Sequence, residues 1–201
     1  MRSSRTTLYC HFAVKHASTL RSILANDPVR WRALDLVASL GLADCWVGAG
    51  FVRNAVWDAL HGRSPALLAD DVDVLWFDPG QADPAVDKRG EASLRLLEPH
   101  LTWSVKNQAR MHGRNGDAAY TSSADAMWYW PETATAVAVR RTGPDASDIA
   151  APFGLDDLFA LVVRPTPRFT GAKRDVYLTR IRTKNWRAQW PLLRIEAAED
   201  A

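Results

Sequence analysis

Apolar and polar positions along the chain follow two periods. Across residues 51–61, Val52, Val56, Ala59 and Leu60 recur at i, i+4, i+7 and i+8, the spacing of one helical stripe. Residues 72–77 are almost continuously apolar and predict a strand buried on both faces. The same reading predicts helices over 18–26, 29–40 and 84–97, with Asp27-Pro28 as a cap and first position and Gly41 as a stop. Short strands are expected at 45–47 and 103–106, and a short helix at 126–130 ended by Pro131. The β-branched alternation of 133–140 predicts a strand, paired with 148–151 across the Gly143-Pro144 turn. Helices over 154–161 and 173–186, joined by a loop at 165–171, complete the chain. The order βαβαβ followed by further strands implies an α+β fold, a small mixed β-sheet with helices packed on it.

Composition narrows this little. At 201 residues the chain can bury one sizeable core, and no apolar run reaches membrane-span length. The N-terminal MRSSRTTLYCHFAVKH has its apolar stretch broken by His11 and Lys15 and no small-residue cleavage site after it, so a cytoplasmic protein is expected. Cys10 and Cys45 fall in no metal-binding or disulfide pattern, and the five histidines lack ligand spacing. The nine tryptophans read as core, with Trp57 as the exception that could stack on a base.

Charge changes the picture more. From Asp35 to Glu98 there are eleven acids against five bases, whereas from Leu161 to Arg194 nine bases face Asp175 alone. An acidic middle suits a metal, and a basic end suits phosphates or is simply a solvated helix face.

The candidate chemistry lies in WVGAGFVRNAVWDALHG and DDVDVLWFD. A turn at Gly48-Ala49-Gly50 opens a helix whose first turn carries Arg53 and Asn54. Helix starts of this kind bind anions through free N–H groups and the helix dipole. Asp71 and Asp73 are two residues apart on a strand, so they share a face and repel unless a cation lies between them. Read more plainly, the Asp pair is solvated edge charge and Arg53 pairs with an acid such as Asp58. Lys106, Asn107, Gln108 and Arg110 follow the third strand, either as phosphate or base donors or as a polar helix start. Asp156-Asp157 is most simply a helix N-terminal acid pair.

Taken in order, GAGFVRNAVWDALHG, DDVDVLWFD, WSVKNQARMH, PETATAVAV, APFGLDDLF and KNW…QWP resemble a bacterial nucleotidyltransferase-like family, formerly a domain of unknown function. That family is similar to the DNA-polymerase-β-type nucleotidyltransferase superfamily. The resemblance runs from about Trp46 to Trp190 and implies a polymerase-β-like core at 44–194 with a basic C-terminal helix, an N-terminal helical segment at 1–43 and a tail at 195–201. It further implies transfer of an NMP group from a nucleoside triphosphate to an acceptor hydroxyl, with release of pyrophosphate. Asp71 and Asp73 would be the catalytic metal ligands for Mg²⁺ or Mn²⁺, two ions serving the attacking and leaving oxygens. Gly48, Gly50, Arg53, Asn54, Lys106 and Arg110 would bind nucleotide. The chain departs from the superfamily in having Ala49 where a serine usually stands. It also shows no evident third strand carboxylate, leaving Glu132, Asp148, Asp156 and Asp157 as candidate bases. The acceptor is undetermined, and an RNA partner is the less favoured because one short basic helix offers a small footprint. The alternatives are a non-catalytic nucleotide- or RNA-binding protein, or an antitoxin-like partner, that keeps the fold.

Overall fold

The computed structural model describes residues 15–64 and 71–197. The expectations for the N-terminal segment through residue 14, Cys10 and His11 included, for Asp70, and for the last residues of the tail lie outside the described residues. Two helices, α1 (Ala17–Ala25) and α2 (Pro28–Ser39), lead into strand β1 (Trp46–Gly48), helix α3 (Gly50–Leu60), strand β2 (Val72–Trp76), helix α4 (Pro84–Leu97) and strand β3 (Trp103–Asn107). Helices α5 (Gln108–Asn115) and α6 (Ser123–Met127) precede a hairpin of β4 (Ala138–Gly143) and β5 (Ala146–Ala150). The chain closes with α7 (Asp156–Phe159), β6 (Val162–Val163), α8 (Arg174–Lys184), α9 (Trp186–Gln189) and β7 (Arg194–Ile195). The α+β expectation holds: a five-stranded sheet in the order β3-β2-β1-β4-β5 is parallel only between β2 and β3, which α4 connects.

Side-chain alternation gives this sheet two unlike faces. Val47, Val72, Val74, Trp76, Trp103, Val105 and Val139 point into the main core, where Leu20 and Leu24 of α1, Leu34 and Val37 of α2 and Val52 and Val56 of α3 meet them. Trp46, Leu75 and Ala138 point the other way, into a smaller cluster with Ala124 and Met127. Asp73, Ser104 and Lys106 share that second face by register. Covering helices are fewer there, and a cleft remains.

The edge strand β3 is protected by acids of α4. Glu91 accepts from the Val105 N–H (3.1 Å) and Lys106 Nζ (2.6 Å), and Asp87 accepts from the Asn107 N–H (3.1 Å) and Trp76 Nε1 (2.8 Å). An edge so occupied cannot template another strand.

Several local expectations are corrected. Residues 133–137 form a turn rather than a strand, with the N–H groups of Thr135 and Ala136 both donating to the Glu132 carbonyl at 3.1 Å. β-Branching fits a strand, but this segment is wholly buried beside Arg53 and tertiary partners decide its path. The short helix starts earlier than expected, because the Ser122 hydroxyl caps it by accepting from the Asp125 N–H at 2.9 Å. Asn185, at φ 41°, divides the expected C-terminal helix into α8 and α9. The β6–β7 pair was not anticipated.

Candidate functional site

Strand β1 delivers the chain to the turn at Gly48-Ala49-Gly50. A Cβ on Gly48 would lie 3.0 Å from the Val137 carbonyl oxygen and 3.2 Å from the Ala138 Cβ, so close sheet packing already requires this glycine. Ala49 holds φ 54° and ψ −127°, a conformation that favours glycine, and its N–H donates to the Val137 carbonyl at 3.1 Å. The Ala49 carbonyl then accepts from the Arg53 N–H at 3.0 Å, closing the first turn of α3 with Gly50 buried at its start.

Asp73 lies on β2 between Gly48 of β1 and Ser104 of β3, half-buried, with Asp71 exposed just before the strand. Burial pushes the Asp73 carboxyl up to about 6, and the nearby Asp71 pushes the same way. Arg180, Arg53 and Lys184 oppose the rise. Three cations from two distant parts of the chain therefore reach Asp73 electrostatically. Among the described residues no group of three or more His, Cys, Asp or Glu is arranged to hold a metal, so a cation here would rely on Asp71, Asp73 and its substrate's oxygens.

Arg53 is only 2% exposed. Its Nη1 donates to Thr135 Oγ1 at 2.9 Å, and Nε and Nη2 donate to Asn54 Oδ1 at 3.2 and 2.9 Å. Its guanidinium lies 4.8 Å from the Trp57 ring and 4.5 Å from Trp186. Asp58, the acid considered as its partner, instead accepts from Trp190 Nε1 at 2.8 Å. Trp57 is fully buried against Trp186 and Trp190, a core position.

A cleft of about 370 Å³ opens over Asp73. Lys106, Arg114 and Arg180 bring positive charge to its walls, and Trp130, Met111 and Leu75 bring apolar surface. Among the described residues lining it, Asp73 is the one carboxylate. Lys106 is shared between this wall and Glu91, whereas Arg110 is not a lining residue and pairs with Asp87. The four candidate bases stand outside the lining. Glu132 is buried against Arg180, Asp148 pairs with Arg140, Asp157 with Arg164 and Asp156 with Lys15. Arg114 and Thr135 were not expected at the site, and Trp130, expected in the core, lines the cleft instead. Only the order of elements along PETATAVAV could have pointed to Thr135.

Comparison with known proteins bears on the fold and the family. A family profile described as nucleotidyltransferase matches residues 35–195. A solved structure described as revealing a CCA-adding enzyme head domain is 35% identical, with TM-score 0.80, and the alignment covers 92% of this chain and 97% of that one. Two forms of a tRNA-processing enzyme, described as apo form 2 and apo form I, are 16% and 15% identical at TM-score 0.50 and show the fold alone. Those alignments cover 83% and 92% of this chain, and the chain spans only 45% and 44% of theirs. No curated protein matches.

Proposed function

Because this chain belongs to the nucleotidyltransferase family, we propose that it moves an NMP group from a nucleoside triphosphate to an acceptor hydroxyl at the cleft over Asp73. The acceptor oxygen bonds to the α-phosphorus, the P–O bond to the β-phosphate breaks, pyrophosphate leaves and the hydroxyl proton passes to water. The observation that carries this reading is the placement of Asp73 beside Asp71 on a cleft whose walls bear Lys106, Arg114 and Arg180.

The residues fit a divalent metal. Burial and the neighbouring Asp71 disfavour the Asp73 charge by more than Arg180, Arg53 and Lys184 offset, so a further cation would be accommodated, and Mg²⁺ completes its shell with water and substrate phosphates when only two carboxylates are supplied. Asp71 and Asp73 would hold Mg²⁺ or Mn²⁺, which when bound supplies charge neutralisation at the reacting phosphate. Arg180, Arg114 and Lys106 hold the remaining phosphate charge by charge-assisted hydrogen bonds. Gly48, Gly50, Arg53 and Asn54 shape the turn behind it, Arg53 from below the surface, whereas Arg110 is held by Asp87 outside the cleft lining.

For the acceptor, similarity to a chain described as a CCA-adding enzyme head domain supports a second reading, an RNA 3′-hydroxyl. Each α-³²P-labelled nucleoside triphosphate, incubated with Mg²⁺ or Mn²⁺ and cell extract, tests both, with label scored in RNA, protein and small-molecule fractions. Transfer that disappears in Asp71→Asn and Asp73→Asn is expected. Equal transfer by the folded Asp73→Asn protein refutes the assignment, and nucleotide binding without transfer in any fraction makes the chain a binding protein.

A further inference from the structure

Glu132 is fully buried, and its Oε1 accepts from Arg180 Nε at 2.7 Å. Its other oxygen, Oε2, has no hydrogen-bond partner among the described residues. A buried carboxylate satisfied on one side only is a poor device for stability, since the desolvation of two charges offsets much of their attraction. A turn that merely had to pack would be better served by an apolar side chain. The Arg180 side chain remains about a third exposed, rests 5.6 Å from the Trp186 ring and lines the cleft with Asp73. Its Nη1 and Nη2 have no hydrogen-bond partner among the described residues, and no ion pair joins Arg180 to Asp73 there. Guanidinium and carboxylate thus face one cleft, within electrostatic reach but unpaired, with space between them.

We propose that Glu132 is a positioning residue that fixes Arg180 by its Nε edge and aims the two Nη groups at a phosphate of the bound nucleoside triphosphate. The inference rests on the reading of the cleft as a triphosphate site. Holding the guanidinium by one edge preserves the other for a bidentate contact with phosphate oxygens. Trp186, which also carries Arg53 at 4.5 Å, limits rotation about the held edge. Glu132 sits at the head of the buried Thr133–Val137 turn, whose Thr135 hydroxyl accepts from Arg53. One turn therefore anchors both arginines that reach Asp73.

The test compares affinity for ATP with affinity for adenosine, and likewise for the other bases, in the parent protein, Arg180→Ala, Arg180→Lys, Glu132→Gln and the double variant Glu132→Gln/Arg180→Ala. Arg180→Ala is expected to weaken triphosphate binding about tenfold while leaving nucleoside binding unchanged, the scale of one charge-assisted contact. Glu132→Gln, of equal size, should reproduce most of that loss, and the double variant should bind no worse than Arg180→Ala alone. Arg180→Lys, which keeps the charge but lacks the fork, should also bind the triphosphate more weakly than the parent. A Glu132→Gln protein that melts at a lower temperature yet keeps the parent's ratio of triphosphate to nucleoside affinity overturns the proposal. So does parent-like binding by Arg180→Lys, a result that stands even if Glu132→Gln does not fold. If Asp73→Asn and Arg180→Ala both bind triphosphate as the parent does, the cleft reading itself has failed. If those two weaken binding and Glu132→Gln does not, only the positioning role falls.

Discussion

Asp73 should destabilise the metal-free protein, and removing its charge should make the protein more stable. Burial first and Asp71 second raise its carboxyl from an ordinary 3.8 to about 6. The folded state therefore binds this proton more tightly than the unfolded chain. The contribution is fully present below the unfolded value and is lost as pH rises through the folded value. At neutral pH the ionised Asp73 costs at most about 3 kcal/mol, from roughly 1.4 kcal/mol per pKa unit. Partial solvent contact reduces that to about 1–2 kcal/mol. In a chain of this length each kcal/mol moves Tm by about 2–4 °C. Asp73→Asn in EDTA should then melt about 2–8 °C above the parent at pH 7.5, by the same arithmetic. The difference should shrink as pH falls from 6 towards 4. Saturating Mg²⁺ should stabilise the parent alone and close the gap, since binding to the folded state raises its stability. Melting curves followed by circular dichroism across that range, with EDTA or Mg²⁺, give the comparison directly. Equal or lower stability of Asp73→Asn in EDTA at pH 7.5 would refute the reasoning, because a carboxylate so placed would already have a partner.

Three further outcomes follow from the same geometry. Arg53→Ala should lose about 2–3 kcal/mol of stability by urea denaturation, because it strips a buried bond to Thr135 and two aromatic contacts; unchanged stability would mean that these contacts contribute nothing. Ala49→Gly should gain up to about 1 kcal/mol, the relief of positive φ outweighing the added freedom of the unfolded chain. Cys45, whose thiol burial and then Asp44 push up to about 12, should react with a disulfide reagent at pH 8 at least about a hundredfold more slowly than a free thiol. That rate is measured with Cys10 replaced by Ser, and fast reaction would contradict the burial.

Where sequence and structure agree, local chemistry decided the outcome. Helix α4 spans the expected 84–97 because Asp83 caps it by accepting from the Ala85 N–H and Pro84 fits its first turn. The face taken by Asp73 was legible because strand alternation has no alternative period, whereas Asp71 stands exposed just before the strand rather than on it. Helix α5 was legible only as a polar helix start offered as one of two readings: QARMHGRN has no apolar stripe and contains Gly113, and its start depends on the Asn107 side chain accepting from the Ala109 N–H. Arg180 stood out only as one base among nine. Nothing in its neighbourhood along the chain shows that it meets Glu132 and faces Asp73, because that contact is made by folding alone. Arg53 was legible as important but not as buried, since its two tryptophan partners come from different helices.

The uneven charge along the chain also has a different meaning once partners are assigned. Most of the acids in the middle are structural: Asp87 and Glu91 hold the β3 edge, and Asp58 holds Trp190. Much of the basic end is structural as well, with Arg164 bound to Asp157 and Glu196, and Arg168 and Lys173 bound to Asp117. The field at the cleft comes from what this pairing leaves over, namely Asp71 and Asp73 on one side and Arg114, Lys184 and the outer edge of Arg180 on the other. A segment's net charge therefore overstates how many groups can meet a ligand. A few unpaired charges, among them Arg180 held by buried Glu132, suit the proposed compact triphosphate with its cation better than an extended polyanion, which needs many exposed bases in a row.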